Sequence, residues 1–262
     1  AQRYAKSGIA NDQNAAWFAL DMSAYKKFGN TSLSEKQITE FLDKLIANAE
    51  KTTYASELAK SIIALRALGF NPSDVTTAQR NKIDIAKKLG DLIASGDSGA
   101  TNIYTLPYVI IAADSCGIDT TDLISLAIKN KSDWQNMSYG SDAACPMICA
   151  LAPYYDKNDD VKAVVDDSLP LIADALKTNS FSKNAASVGL AITAFSAVLP
   201  YSDEVETKYV KDIMNYVASS HDGFEPTSNS FSTEQGFRGL VAWQLAKQYG
   251  LRLFDFSANE NN

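Results

Sequence analysis

One histidine, His221, and three cysteines, Cys116, Cys145 and Cys149, are the side chains best suited to nucleophilic or metal chemistry in this 262-residue chain. Cys145 and Cys149 stand four apart on a stretch that reads as helix, while His221 lies far off in sequence. A structural zinc centre needs four N or S ligands at short paired spacings. No such pairing occurs, so neither a metal site nor a cofactor is expected. An odd, sparse cysteine count argues against a disulfide framework. Small buried apolar side chains are the expected role, and the sequence leaves open whether all three are reduced. One histidine gives little scope for a Ser-His-Asp arrangement, and no serine-centred elbow or glycine-rich phosphate loop is found. The paired acids Asp159-Asp160 and Asp166-Asp167 read as a loop and a solvated helix face.

The elements that must position any site are legible as a repeat. An alanine-rich apolar helix recurs around Phe18-Ala19-Leu20, Ile63-Ala64-Leu65, Ile111-Ala112-Ala113, Cys149-Ala150-Leu151, Thr193-Ala194-Phe195 and Val241-Ala242-Trp243. Aligned on Ala19, Ala64, Ala112, Ala150, Ala194 and Ala242, the steps are 45, 48, 38, 44 and 48 residues. Between these copies lie one-sided stripes. Ile38, Phe41, Leu42, Leu45 and Ile46 form one, and Ile83, Ala86, Leu89 and Ile93 another. Leu123, Ile124, Ala127 and Ile128 make a shorter third. Val161, Val164, Val165, Leu169, Ile172 and Leu176 follow, backed by Lys162, Asp166, Asp167 and Asp174; Val205, Tyr209, Ile213, Tyr216 and Val217 are last. Spacings of three and four with a charged back mark amphipathic helices. Helices apolar all round have both faces covered, so the first type reads as an inner layer and the second as an outer one.

Local signals agree. Ser34 to Gln37 and Ser232 to Gln235 are spaced as capping boxes, and Gly29, Gly69, Gly117 and Gly250 follow inner-type helices where a left-handed cap belongs. The expected fold is all-α: a closed α/α ring of about six helix pairs in a single domain over 1–262. An open stack of pairs is the rival, but stacks need polar ends, and this chain finishes with apolar Leu251, Leu253, Phe254 and Phe256.

Composition excludes some partners. With 46% hydrophobic residues a sizeable core is possible. A net charge of -7 with no Lys/Arg cluster disfavours nucleic acid. The longest apolar runs, such as Val188 to Leu199, fall short of the roughly 20 residues of a spanning helix. The opening Ala1-Gln2-Arg3-Tyr4 carries no charged-then-apolar leader and is read as a processed or trimmed start.

On these stretches the chain resembles the α/α toroid of terpenoid cyclases and protein prenyltransferases. It looks closest to a bacterial cell-surface branch similar to the helical domain of cobalamin carriers. Tyr54-Ala55 running into Ile62 to Gly69, Asn102 to Leu106, Ala150 to Tyr155, Ser232 to Phe237 and Leu253 to Phe256 carry the likeness. His221 to Phe224 looks like a degenerate Gly-aromatic turn of the cyclase repeats. The resemblance implies a toroid, and family members range from enzymes to carriers. It also implies a secreted or cell-surface, bacterial location.

In such a ring the inner helices run parallel and their N-termini gather at one mouth. The loops entering them, 130–141 and 219–232, carry Trp134, Tyr139, His221, Phe224 and Phe231. Helix starts add Tyr104, Asp142, Glu234 and Arg238. Long loops on a rigid scaffold often bind ligands, and helix N-termini favour anionic or carbonyl groups. The candidate ligand-binding set is therefore Tyr104, Trp134, Tyr139, Asp142, Glu234 and Arg238; the plainer alternative is that Glu234 and Asp142 only cap helices.

Asp142 also aligns with the proton donor of the cyclase Asp-x-Asp-Asp-Thr-Ala motif. The stretch here, Gly140-Ser141-Asp142-Ala143-Ala144-Cys145, keeps only the middle acid. A polyene-opening acid needs partners that hold it protonated and strongly acidic, and glycine and alanine supply none. Prenyl transfer would need Asp, Cys and His ligands on zinc, without a convincing Cys here, and the Gly-Cys-Gly-Glu-Gln of thioester domains is missing. The leading expectation is a non-catalytic module binding a small ligand, glycan or cell-surface protein. The alternative is an isoprenoid enzyme with Asp142 as general acid.

Overall fold

The computed structural model describes residues 14–29, 33–77, 80–139, 141–177, 185–211, 213 and 230–257. Among the described residues the fold is all-α apart from one short hairpin. Chain contacts group into two compact units, Ala1–Leu123 with Phe254–Asn262, and Ile124–Leu253. Among the described residues no helix is long and apolar enough to cross a membrane.

The first unit contains α1 (Ala15–Lys26), α2 (Glu35–Lys51), α3 (Ala55–Ala67), α4 (Ile85–Ala94) and α5 (Leu106–Ser115). α3 packs on both α1 and α5, while α2 and α4 lie against α3. α3 is an inner-type helix: Leu58, Ala59, Ile62, Ile63, Ala64 and Leu65 are all buried. α2 buries only Phe41, Leu45, Ile46 and Ala49, with Ile38 and Leu42 at the margins of the stripe. Its capping box is present in full, Ser34 accepting from the Gln37 backbone and Gln37 reaching back. At the other end of α2 the Lys88 ammonium donates to the carbonyls of Ala49, Glu50 and Thr52 at 2.7, 3.0 and 3.0 Å. A cation there satisfies carbonyls that the helix leaves open and complements its dipole.

Ile83 departs from the expected outer stripe. It pairs with Val75 in the antiparallel hairpin of β1 (Val75–Thr76) and β2 (Lys82–Ile83). The cause is local: Asp84 accepts from the Lys87 backbone at 2.7 Å and caps α4, which therefore starts at Ile85.

The second unit holds the rest of α6 (Thr121–Lys129), α7 (Lys131–Trp134), α8 (Ala144–Leu151), α9 (Asp159–Leu176), α10 (Ala185–Val198) and α11 (Ser230–Tyr249). A π-helical turn spans Glu206–Val210. α10 packs on α8 and, most extensively, on α11; α9 covers α8 and α10. All six residues of the predicted α9 stripe are buried, and Lys162, Asp166, Asp167 and Asp174 are exposed. Asp159 and Asp160 do not lie in a loop as expected. Asn158 caps the backbone of Asp160 and Val161, so the two acids form the first turn of α9. Tyr155 fastens the preceding turn to this helix, donating to Asp166 at 2.6 Å and accepting from Lys162 at 2.6 Å.

The repeat holds at its register position in both units. Ala19, Ala64, Ala112, Ala150, Ala194 and Ala242 each lie on an inner-type helix, and none is more than 1% exposed. Small side chains there let neighbouring backbones approach. The left-handed turns also fall where expected, with φ of 71°, 85°, 71° and 63° at Gly29, Gly69, Gly117 and Gly250.

Candidate functional site

Five of the six predicted site residues belong to the second unit: Asp142 ahead of α8, Glu234 and Arg238 on α11, Trp134 on α7 and Tyr139 in a 3-10 turn. Ser141, Cys145 and Cys149 are spaced by four and share one face of α8 and its entry. Burial pushes the Cys149 thiol up to about 12, although the nearby cations Arg238 and Arg252 draw it down. Burial likewise raises Cys145, partly offset by the Ser141 hydroxyl against it. Cys116, in the first unit, is half-buried and also raised, chiefly by desolvation. The thiolate is the reactive form, so these cysteines are inert packing groups. Iodoacetamide at neutral pH is expected to add slowly, and at most once, to the folded protein, at Cys116. Intact-mass spectrometry should show three additions only after unfolding.

Glu234 and Arg238 lie one turn apart on α11 and are 0% and 2% exposed. The Arg238 guanidinium donates to Glu234 Oε1, and Glu234 Oε2 is buried with no hydrogen-bond partner among the described residues. The expected capping box at Ser232 to Gln235 is not formed, because α11 already begins at Ser230. Gln235, which would have reached back to Ser232, and its neighbour Glu234 are thus helix-interior residues, and Glu234 meets Arg238 at i+4. The two charges neutralise each other inside the protein.

Asp142, two residues ahead of α8, is exposed. Partial desolvation alone pushes its carboxyl up. Trp134 ends α7 with its ring buried, 1% exposed, and its indole N–H donates to the Ala127 carbonyl at 2.8 Å. It anchors the chain between α6 and α8 from within. Tyr139 closes the 3-10 turn Met137–Tyr139, its side chain outside the described residues. His221, Asp222 and Phe224 also lie outside them, as does the side chain of Phe231. Among the described residues no three His, Cys, Asp or Glu side chains come together as metal ligands.

In the first unit Tyr104 is 49% exposed, two residues before α5. Sequence reasoning assigned no role to Tyr54, which is 72% exposed at the N-cap of α3, or to Trp17 and Tyr108. The rings of the latter two meet at 4.9 Å. The only available signal was an aromatic at the start of three inner-type helices.

Helix starts differ by layer. The outer helices α2, α4 and α9 are capped by the side chains of Ser34, Asp84 and Asn158, and Asp119 accepts from Thr121 at the start of α6. The inner-type helices α1, α3, α5 and α8 begin at Asn14, Tyr54, Thr105 and Ala143 with no side-chain cap. Their first-turn N–H groups are therefore not taken up by cap side chains. Comparison with known protein families, with curated proteins and with solved structures finds no match.

Proposed function

We propose that this protein is a non-catalytic binding module, an α/α toroid of the terpenoid cyclase and prenyltransferase type, presented outside a bacterial cell. Its mouth takes a small ligand, a glycan or a cell-surface protein. Three features support the ring: the six buried alanines at one register, the sequential packing of inner-type helices within each unit, and the grouping of Phe254–Asn262 with the first unit.

The observation that carries the non-catalytic reading is the setting of Asp142. It is exposed, and no hydrogen bond from a described residue sharpens it. Desolvation weakens an acid, whereas opening a polyene demands a strong one. Glu234, the other carboxylate of the candidate set, is neutralised by Arg238. Exposed aromatics and uncapped inner helices are instead the endowment of a recognition surface.

The full chain incubated with farnesyl diphosphate or a linear polyprenyl epoxide is expected to return either one unchanged, while mass spectrometry of the purified protein detects a co-purifying ligand. A cyclised product that disappears in Asp142→Asn would establish the isoprenoid enzyme instead.

Asp142→Asn has a second expected effect. A raised carboxyl pKa means the native state holds its proton to higher pH than the unfolded chain. That contribution is full below the ordinary carboxylate value and lost as pH rises through the raised one. The variant should therefore melt about one to two degrees higher at pH 7, with no gain at pH 3.

A further inference from the structure

In the first unit α1, α3 and α5 run in one direction. Trp17 and Tyr108 sit in the first turns of α1 and α5 and their rings meet at 4.9 Å, so these two starts lie together. The Ile85 N–H at the start of α4 donates to the Pro72 carbonyl just past α3 at 2.9 Å, and a Cβ on Gly90 of α4 would meet Ile118 Cδ1, just past α5, at 3.7 Å, so those two ends lie together. Tyr54 and Tyr104 consequently stand at the same end as the Trp17–Tyr108 pair. The same device presents both: a polar side chain two residues earlier accepts the tyrosine backbone N–H, Thr52 at 3.2 Å and Asn102 at 3.0 Å. Two successive repeats thus turn a tyrosine into solvent, 72% and 49% exposed, at the head of an inner helix.

We infer that this end of the first unit is a platform for a neutral glycan, stacked on Tyr54 and Tyr104 beside the Trp17–Tyr108 pair. The inference names the ligand class of the binding reading above and rests on it. Sugar rings offer C–H faces to aromatic planes and hydroxyls to amide and hydroxyl partners. Tyrosine suits that task, with its large face, polar tip and low ordering cost. The polar groups alongside, Thr52 and Asn102, are uncharged. The nearest charges in sequence, Lys51 and Glu57, are of opposite sign, and Glu57 is held by Lys60 at 2.9 Å. The Lys88 ammonium beside Thr52 is already taken up by three backbone carbonyls. Packed helices lie roughly 8–10 Å apart, which sets two stacking faces along an oligosaccharide rather than around a single small ring.

The full chain is titrated with cellohexaose, mannohexaose and a galacturonic acid hexamer, followed by calorimetry and tryptophan fluorescence. At least one neutral hexasaccharide is expected to bind. Tyr54→Ala and Tyr104→Ala should each weaken it about tenfold, and Tyr104→Phe should hold it within about twofold, since the face and not the hydroxyl carries the stacking. Both rings stand in water, and circular dichroism confirms that the variants fold. Undetectable binding of both neutral sugars at millimolar concentration, alanine variants that bind like the native chain, or tightest binding of the charged hexamer would each overturn the inference. Those results with no turnover of isoprenoid leave the binding module standing; turnover sinks both.

Discussion

Gly189→Ala is expected to lose more than about 3 kcal/mol of stability, beyond the usual cost of an added core methyl group. A Cβ there would stand 2.1 Å from the Gln235 carbonyl oxygen, 2.5 Å from its carbon and 2.7 Å from the Gly236 nitrogen. All three are backbone atoms of α11, so no side-chain rotation relieves the clash; the helices must separate. Gly239 faces the same crossing, its would-be Cβ 2.6 Å from the Gly189 oxygen. Urea denaturation should show a much lower midpoint at unchanged slope. Gly90→Ala is the control. Its Cβ would meet only Ile118 Cδ1 at 3.7 Å inside α4, so the gain in helix propensity should leave it neutral or up to about 1 kcal/mol more stable. Equal losses at both positions would show that the crossing is not tight.

Arg238→Met is the second large effect. It strands a carboxylate that is 0% exposed, and breaking a buried pair from one side costs about 3–5 kcal/mol. Adding Glu234→Gln should recover much of that loss, because a neutral amide tolerates the interior better than an unmatched charge. The double-mutant cycle on denaturation free energies measures the coupling. A loss below about 1 kcal/mol in Arg238→Met would mean that water reaches the Glu234 carboxylate and that the pair is not a sealed interior contact.

Signals confined to a few residues were readable in advance. The α2 and α9 stripes and the Ser34 capping box depend on spacings of three or four along one helix, the left-handed glycines on single positions at helix ends, and the alanine register on recurrence every 38 to 48 residues. What could not be read depends on where an element begins or which way a side chain turns. Ser232 to Gln235 has capping-box spacing, yet the helix begins upstream at Ser230, so no cap forms there and the neighbouring Glu234 pairs with Arg238. Trp134 sits in a stretch that reads as an exposed loop. Whether such an indole faces solvent or folds back on Ala127 is decided by the packing of α6 and α7. Tyr54 was noticed only as part of a family likeness, since nothing in its neighbours declares that its ring is left in water.

All fourteen residues of α10 are buried, so this segment has no hydrophilic side to offer on its own. Any shortened version of the protein that stops ahead of Ser230 would strip away its cover and place a greasy rod in water, inviting self-association. Trimming from the C-terminus must therefore keep α11 whole or discard α10 with it, a rule for choosing expression boundaries.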